Sequence, residues 1–302
     1  MKNKLTALVC AALLFAAGNL AAGEVGSTSL NFLKVGVGAR PAGMGGAFGA
    51  LSDDATACFW NPAGLTDSRA GELFFTHHRW IEDISQSAAS YTFDVQRVRL
   101  GVSMNYFGMG ELERRSVNSV EPEGTFSPFD LALGLSAAYR VKDNISAGVT
   151  ARFVHESLDS ETASAMLFDI GIKARTMIPN LTASFVVRNL GTKLKYESVA
   201  YDAPRLVSIG AAYRKSLPWR DNSVTVAFEI ESPNDNETRL ALGGEYNWRN
   251  FLLGRAGYRT GLEYEDFSFG MGVNYLQLMF DYAFVPYSDL GNSHRFSFIY
   301  AF

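Results

Sequence analysis

Cysteine and histidine are both scarce in this sequence. The 302 residues include two cysteines, Cys10 and Cys58, and four histidines. Because Cys10 falls in a leader that we expect to be removed, the mature chain would hold one thiol and no internal disulfide. His77 and His78 are adjacent on a predicted strand and therefore point to opposite faces, with no cysteine or carboxylate at metal-ligand spacing. The sequence predicts no metal site and no cofactor.

An excess of basic residues is missing as well. The formal net charge is −4, which leaves no broad basic face for a polyanion. We therefore expect no binding of nucleic acid. After residue 23, no stretch approaches the about 18 uninterrupted apolar residues of a membrane-spanning helix, so the sequence predicts none.

Residues 1–23 have the organisation of a signal peptide. Lys2 and Lys4 supply a positive start, residues 5–17 an apolar core, and Ala21-Ala22-Gly23 a cleavage region of small side chains. The apolar core is too short for a comfortable transmembrane helix. We expect this leader to direct Sec-dependent export across the inner membrane.

From Glu72 onward, apolar residues recur at every second position. The clearest examples are the alternate residues of Val98–Tyr106, Leu131–Tyr139, Val224–Ile230 and Phe267–Tyr275, whose opposite phase holds small, polar or charged residues. A soluble sandwich alternates too, but its polar face is rich in Lys and Glu. Here aromatic residues also mark strand ends, at Tyr139, Tyr213, Tyr246, Trp248, Tyr258 and Tyr275. The pattern predicts an all-β fold, a transmembrane antiparallel β-barrel with an aromatic girdle and a wet lumen.

Fourteen strands fit the predicted barrel domain, residues 72–302, and an even number is what bacterial single-chain barrels have. We place them at 72–80, 86–95, 97–108, 127–141, 144–155, 164–176, 181–190, 204–215, 222–232, 237–248, 250–260, 264–275, 276–286 and 292–302. Every second connection is then tight, which suits periplasmic turns. The alternate connections include the longer segments Met109–Phe126, Glu156–Ala163 and Gly191–Ala203, which suit external loops.

The last strand carries aromatics at alternate positions and ends the chain with Phe302. Phe298, Tyr300 and Phe302 resemble the terminal signal by which the barrel assembly machinery recognises outer-membrane barrels. The alternative is a final strand that ends in Phe by chance. Together with the leader, this signal predicts an integral protein of the outer membrane of a diderm bacterium, in contact with outer-membrane lipid.

The segment Gly36–Thr66 is crowded with Gly and Ala and lacks the strand pattern. Ser52 is a candidate N-cap with Asp53 and Asp54 in the first helical turn. Asn61 is a second candidate N-cap, followed by Pro62 at the first helical position. We predict two or three short helical turns whose small side chains suit a confined space. Residues 24–71 are thus predicted to form a hatch that plugs the lumen, and the alternative is a glycine-rich linker.

Charged residues on the inward phase of the strands need partners or water, because an enclosed charge is costly. We expect several of them to pair across the wall, or to hold the hatch through Asp53, Asp54 and the Asn61 region. A charged constriction that selects solutes is the alternative. The candidates are Arg97, Arg99, Arg140, Arg152, Arg188, Arg214, Arg239, Arg295, Asp169, Glu229, Glu231, Glu245 and Asp281.

The sequence offers no catalytic constellation. His155, Ser157 and Asp159 are the nearest approach to a hydrolase trio. On one strand, residues two apart lie about 7 Å from each other, too far for a Ser–His hydrogen bond. We therefore predict that the protein is not an enzyme.

Residues 39–65 carry a family resemblance. Arg40, Gly43, Gly45, Gly46, Asp53, Asp54 and the run Asn61-Pro62-Ala63-Gly64 resemble the signature of the PorV/PorQ family, an uncharacterised outer-membrane family related to FadL-like long-chain fatty-acid transporters. The Asn-Pro-Ala run is similar to the FadL-like plug motif. The resemblance implies a barrel of about 14 strands with an N-terminal hatch in its lumen.

The resemblance implies two different functions. PorV-like proteins act as accessory components of type IX protein secretion, so the expected partner would be the secretion translocon or a secreted cargo protein. The alternative is a FadL-like passive channel for uptake of a hydrophobic small molecule. The predicted external loops are mostly short, which leaves little material for an apolar ligand groove built from loops.

Overall fold

The computed structural model describes residues 26–302 apart from 82–83, 116, 119, 197–198, 219–220, 262–264 and 288–290. The predicted leader, residues 1–23, lies outside the described residues. Within them, no helix has both the length and the apolar character needed to cross a bilayer.

Fourteen antiparallel strands of the described chain close into a barrel, which confirms the predicted fold. Each strand pairs with its neighbour in sequence along the barrel, and the first strand also pairs with the last, from Glu72 opposite Ala301 to Arg79 opposite His294. The barrel strands are β1 (Glu72–Arg79), β2 (Ser85–Val95), β3 (Val98–Gly108), β6 (Phe129–Lys142), β7 (Ile145–Leu158), β8 (Glu161–Arg175), β9 (Leu181–Gly191), β12 (Leu206–Ser216), β13 (Ser223–Pro233), β14 (Arg239–Trp248), β15 (Leu252–Arg259), β16 (Phe267–Tyr275), β17 (Leu278–Pro286) and β18 (Asn292–Ala301).

The apolar phase of the strands points outward, as the sequence pattern predicts. On β13, Val226 and Phe228 are exposed on the outer surface, whereas Thr225 and Glu229 are buried inside. The predicted girdle residues Tyr139, Tyr213, Tyr246, Trp248, Tyr258 and Tyr275 are all exposed on this outer face. Such a surface suits hydrocarbon, because the paired strands satisfy their own backbone hydrogen bonds.

The connections differ between the two ends of the barrel. One end, which we call the short-turn end, carries turns such as Gln96–Arg97 and the three residues 249–251, and the other is the long-loop end. Two small hairpins extend the long loops: β4 (Leu112–Arg114) with β5 (Gly124–Phe126), and β10 (Leu194–Tyr196) with β11 (Val199–Tyr201).

One predicted long loop is wrong. Strands β7 and β8 continue to Leu158 and from Glu161, so residues 159–160 form a tight turn where a loop over Glu156–Ala163 was expected. Asp159 takes a positive φ of 52° in this turn, a conformation that Asp tolerates well. The hairpin of β7 and β8 contacts the preceding long loop through an ion pair between Asp159 and Arg114.

The glycine-rich segment lies inside the barrel. It contains a 3-10 turn at Asn31–Lys34, short α-helices at Ala39–Gly43 and Ala57–Trp60, and a 3-10 helix at Pro62–Asp67. We call residues 26–71 the plug. Nearly every residue between 37 and 65 is buried, and the apolar core of the molecule is the contact between plug and wall.

The predicted N-cap at Ser52 is wrong. The next helix begins later, at Ala57, and the Ser52 hydroxyl instead donates to the carbonyl of Phe48 at 3.0 Å. Asp54 accepts from the backbone N–H of Thr56 at 2.9 Å, so it closes a local turn and does not occupy a helical first turn. Short polar side chains often compete with helix formation in this way.

Plug and wall approach each other closely at glycines. A Cβ added at Gly257 on β15 would overlap the backbone nitrogen of Gly45 in the plug. A Cβ at Gly171 on β8 would overlap the amide oxygen of Asn61. Both wall glycines leave space that plug atoms fill, so the shape of the wall fixes the position of the plug.

We expect Gly257→Val to loosen the plug, because its branched side chain would project into Gly45. Overpacking of this kind costs about 1–3 kcal/mol. The temperature at which the purified barrel loses its compact migration in gel electrophoresis should fall. Gly254→Val is the control, because Gly254 lies on the outward phase of the same strand with nothing within 4 Å of its added Cβ. Equal temperatures for the two variants would contradict close packing at Gly257.

Candidate functional site

A buried arginine holds the plug together and ties it to the wall. Arg40 lies in the helix Ala39–Gly43, and its guanidinium is 2.6 Å from Asp53 and 3.0 Å from Asp54. It also contacts Glu245 on β14 at 3.3 Å. A side chain with five donors in a fixed fork suits this position between three carboxylates.

The network continues into the wall through Arg255 on β15, which sequence reasoning missed. Arg255 lies 2.7 Å from Glu245 and 2.5 Å from Asp281 on β17. Its side chain is fully buried, so these contacts exclude water. Breaking one member of such a network would leave an uncompensated buried charge. The alternation along β15 puts Arg255 on the inward phase, which is the signal that could have found it.

Asp67, at the end of the plug, makes a second set of ion pairs. Its carboxylate lies 2.7 Å from Arg140 on β6, and 3.1 and 2.9 Å from Lys173 and Arg175 on β8. Sequence reasoning named Arg140 but not the other three residues. Asp67 was not among the plug residues expected to meet the wall charges, which were Asp53, Asp54 and the Asn61 region.

A wall carboxylate also binds the backbone of the plug. Glu229 on β13 accepts hydrogen bonds from the N–H groups of Phe48 at 2.8 Å and Gly49 at 2.7 Å. Gly49 fits this contact because a Cβ at its position would lie 2.8 Å from the Glu229 carboxylate. The carboxylate thus satisfies donors that the tight chain of the plug could not otherwise pair.

The Asn61-Pro62-Ala63-Gly64 run forms a buried corner. The Asn61 side chain accepts from the N–H of Ala63 at 3.1 Å, as the cap grammar predicts, and donates to the carbonyl of Gly49 at 2.9 Å. Gly64 faces Ser52 so closely that an added Cβ would overlap the Ser52 carbonyl oxygen. On the wall side, a Cβ at Gly148 would overlap Pro62. The corner is held by shape and amide hydrogen bonds.

Most of the remaining predicted lumen charges do face inward. Arg152 pairs with Asp169 at 2.5 Å, Arg188 with Glu231 at 3.6 Å, and Arg214 with Asp53 at 3.5 Å. Arg99 contacts Asp94 and the carbonyl of Ser68. Arg97 is the exception: it lies exposed in the turn before Val98, so its assignment to the lumen is wrong because the strand begins one residue later.

A cavity of about 320 Å³ opens at the long-loop end of the barrel. The plug supplies its floor through Ala42, Gly46 and Trp60, while Trp80 and Tyr287 stand on the wall side. The cavity is formed mainly by strand ends and the plug, with a few residues from the connections. Short loops therefore do not prevent a cavity at this end. The remaining lining residues include Lys34, Arg239, Arg259, Glu265 and Arg295.

A second cavity of about 560 Å³ lies at the short-turn end. It is lined by charged plug residues such as Arg40, Asp53 and Asp67 and by wall residues such as Glu72 and Arg249. Between the two cavities, Phe48 and Trp60 meet edge to face with ring centroids 5.8 Å apart. Arg40 lies over the Phe48 ring at 5.3 Å. The plug thus separates two open ends of one lumen.

The part of the plug that precedes this barrier is tied to the loops at the long-loop end. Lys34 and Thr28 both contact the Asp235 carboxylate, and the backbone N–H of Ser29 donates to the carbonyl of Asp202 at 3.1 Å. Burial opposes ionisation of Asp235, but the hydrogen bonds from Lys34 and Thr28 outweigh this effect and hold the pKa of Asp235 below its ordinary value.

No described group of His, Cys, Asp and Glu residues is arranged to hold a metal ion. His155 lies 3.0 Å from Ser164 on the adjacent strand, which accounts for its polar contact without Ser157. The aromatic residues predicted as an assembly signal, Phe298, Tyr300 and Phe302, lie on the outer face of β18 or just after it, and Tyr300 packs edge to face on Phe302 at 4.7 Å. Their role in assembly stays a prediction.

Two solved structures show the class of fold. A monoaromatic hydrocarbon channel, CymD, matches with a TM-score of 0.60 and 16% identity over 89% of this chain and 98% of its own. The toluene transporter TodX of Pseudomonas putida matches with a TM-score of 0.58 and 13% identity over 87% of this chain and 96% of its own. The likeness to these outer-membrane channels shows the fold of this chain, a closed antiparallel β-barrel.

The family follows from the sequence itself. The model of an uncharacterised protein family, UPF0164, matches residues 9–228, and the chain belongs to this family. No curated protein sequence matches the chain. The FadL-like part of the predicted resemblance is thus confirmed at the level of the fold, whereas the PorV/PorQ name remains a prediction.

We expect Arg40→Leu to release the plug, because three carboxylates would lose their shared cation. Removing one partner of a buried pair costs about 3–5 kcal/mol. Cells that express the variant should admit vancomycin, and the plug should become sensitive to added protease. Arg97→Leu, in an exposed turn, is the control. An intact vancomycin barrier in the Arg40 variant would show that the network does not hold the plug.

We also expect the double variant Asn61→Ala, Pro62→Ala to loosen the plug. It removes the cap and leaves the buried Gly49 carbonyl without its donor, at a cost of about 1–3 kcal/mol. The measurement is again antibiotic leakage and protease sensitivity, with Asn118→Ala in an exposed loop as the control. If both readouts match the unaltered protein, the corner has no part in plugging.

Proposed function

We propose that this protein is a plugged outer-membrane channel that admits small hydrophobic molecules from the long-loop end. Its fold supports an outer-membrane location, because the apolar phase of the barrel strands faces outward and the match to CymD and TodX covers most of the chain. The first is described as a monoaromatic hydrocarbon channel and the second as a toluene transporter. A channel has no need of a catalytic group, in agreement with the predicted absence of enzyme activity.

The cavity at the long-loop end is the observation that carries this proposal. Its volume of about 320 Å³ lies at the low end of the range of ligand pockets, about 300–1,000 Å³. Trp60, Trp80 and Tyr287 line the cavity, and aromatic side chains of this kind pack favourably against a ring-sized solute. The plug forms the floor, so a solute in this cavity stands directly on the barrier that closes the lumen.

The cellular setting is part of the proposal. The leader over residues 1–23 would be removed after Sec-dependent export, and the barrel assembly machinery would insert the chain into the outer membrane of a diderm bacterium. A role beside a type IX secretion translocon, or in binding a secreted cargo protein, stays a prediction from the family resemblance. No described feature of the long-loop end favours that role over the channel.

Uptake of radiolabelled toluene tests the channel. In cells whose outer membrane has an intact lipopolysaccharide layer, expression of the protein should raise the initial rate above that of the empty vector. Ala42→Phe should lower the rate toward the empty-vector value, because the new ring fills the cavity.

Ala256→Phe is the matched control, because Ala256 lies on the outward phase of β15. A rate equal to that of the empty vector, or an unaltered rate in Ala42→Phe at equal abundance in the outer membrane, would contradict the proposal. Capture of a translocon subunit by the barrel without any uptake would favour the secretion-linked role instead.

A further inference from the structure

Positive charge is in excess around the cavity at the long-loop end. Lys34, Arg239, Arg259 and Arg295 line it, against the single lining carboxylate of Glu265. Lys34 is neutralised by Asp235, and Arg259 has a longer contact of 3.7 Å with Glu231. Neither Arg239 nor Arg295 has an ion pair with a carboxylate of the described residues. Glu265 accepts from the hydroxyl of Tyr287 at 2.9 Å.

Hydrogen-bond donors on the same lining residues lack acceptors. The Nε atoms of Arg239, Arg259 and Arg295 and the indole Nε1 of Trp80 are buried without a hydrogen-bond partner among the residues that the structure describes. Arg295 is only 4% exposed, and its one assigned hydrogen bond runs from Nη1 to the carbonyl of Gly36 at 2.7 Å. Buried donors without partners are rare in folded proteins, and these four belong to side chains that line one cavity.

The plug leaves room for one of these guanidinium groups. A Cβ at Gly46 would overlap the Arg259 guanidinium, and Gly46 has a positive φ of 82°. Gly46 belongs to the glycine run by which the family resemblance was found. Its lack of a side chain therefore serves the cavity as well as the packing of the plug.

We infer that this cavity binds a small aromatic carboxylate. A carboxylate has two oxygens that only accept hydrogen bonds, and it suits guanidinium and indole N–H groups that only donate. The rings of Trp60, Trp80 and Tyr287 would face the aromatic body. A neutral hydrocarbon would fill the apolar part of the cavity but leave Arg239 and Arg295 without a counter-charge.

This inference rests on the proposed channel and names the class of solute that its cavity prefers. Selection arises from charge complementarity at the entry side, where Arg239 and Arg295 lie above the plug. The barrier below is held by separate groups, Arg40, Asp53 and Glu245, so the solute site and the seal can be altered independently.

Equilibrium dialysis of the barrel in phosphatidylcholine nanodiscs tests the inference. Radiolabelled cinnamate should bind more tightly than cinnamamide, its neutral isostere. Arg239→Gln should weaken cinnamate binding about tenfold, the equivalent of 1.4 kcal/mol, and leave cinnamamide unaltered. Arg239→Lys should retain part of the affinity. Arg97→Gln, which keeps the same overall charge as Arg239→Gln, should bind as the unaltered protein does.

Arg239 is chosen because its substitution leaves the Arg295–Gly36 contact with the plug intact, and heat-dependent gel migration checks the fold of each variant. Equal binding of cinnamate and cinnamamide, or equal binding of cinnamate to Arg239→Gln and Arg97→Gln, would overturn the inference. Entry of cinnamate into proteoliposomes tests the channel separately. Binding of cinnamate without its entry would support the anion site and contradict transport. Toluene uptake without a preference for cinnamate over cinnamamide would support transport and contradict the anion site.

Discussion

The inner wall of the barrel consists mainly of small and polar residues, and the plug has to fill the space that this wall encloses. Strands whose outward phase faces lipid have only their small and polar phase left for the inside. The plug fills this space by packing its Gly45 backbone against Gly257 and its Asn61 side chain against Gly171, where a wall side chain would collide with it. Charges then pair across the remaining gaps. The rest of the structure depends on this close approach, because it sets the height of the barrier and the size of both cavities.

The plug divides the lumen into two unlike ends. Toward the short turns, carboxylates and cations of plug and wall are mutually paired around Asp53 and Asp67. Toward the long loops, cations outnumber their partners and stand beside aromatic rings. A solute that meets the protein from the loop side therefore encounters an attractive surface before it reaches the seal. This distribution of charge suits the proposed channel, in which a solute would bind at the long-loop end before it passes the plug.

The barrel could be predicted from the sequence because its signal is repeated in every strand. The period-two pattern recovered all fourteen barrel strands of the described chain, and the small connections separated the two ends. Local polar chemistry was harder to predict. Asn61 caps its helix as expected, yet Ser52 does not, because the next helix begins only at Ala57 and the Ser52 hydroxyl donates to the carbonyl of Phe48.

The cavity could not be predicted from the sequence for a different reason. Arg239 and Arg295 are far apart in the sequence and were predicted only as members of a general set of lumen charges, and Arg259 was missed. Only the closure of the barrel brings them to one rim, and only the position of the plug decides which of them lack partners. Arg97 was placed in β3, but the strand begins at Val98, so a boundary error of one residue moves this side chain from the lumen to a turn.

The course of the plug has a topological consequence. Thr28 contacts loop residues at the long-loop end, whereas Gly71 bonds to Thr92 and Phe302 at the short-turn end. The plug therefore runs through the lumen of its own barrel, from the long-loop end to the short-turn end. With so little clearance at the glycines, a finished ring could not be threaded afterwards. The pairing of β1 with β18 must therefore close the barrel around a plug segment that already lies inside it.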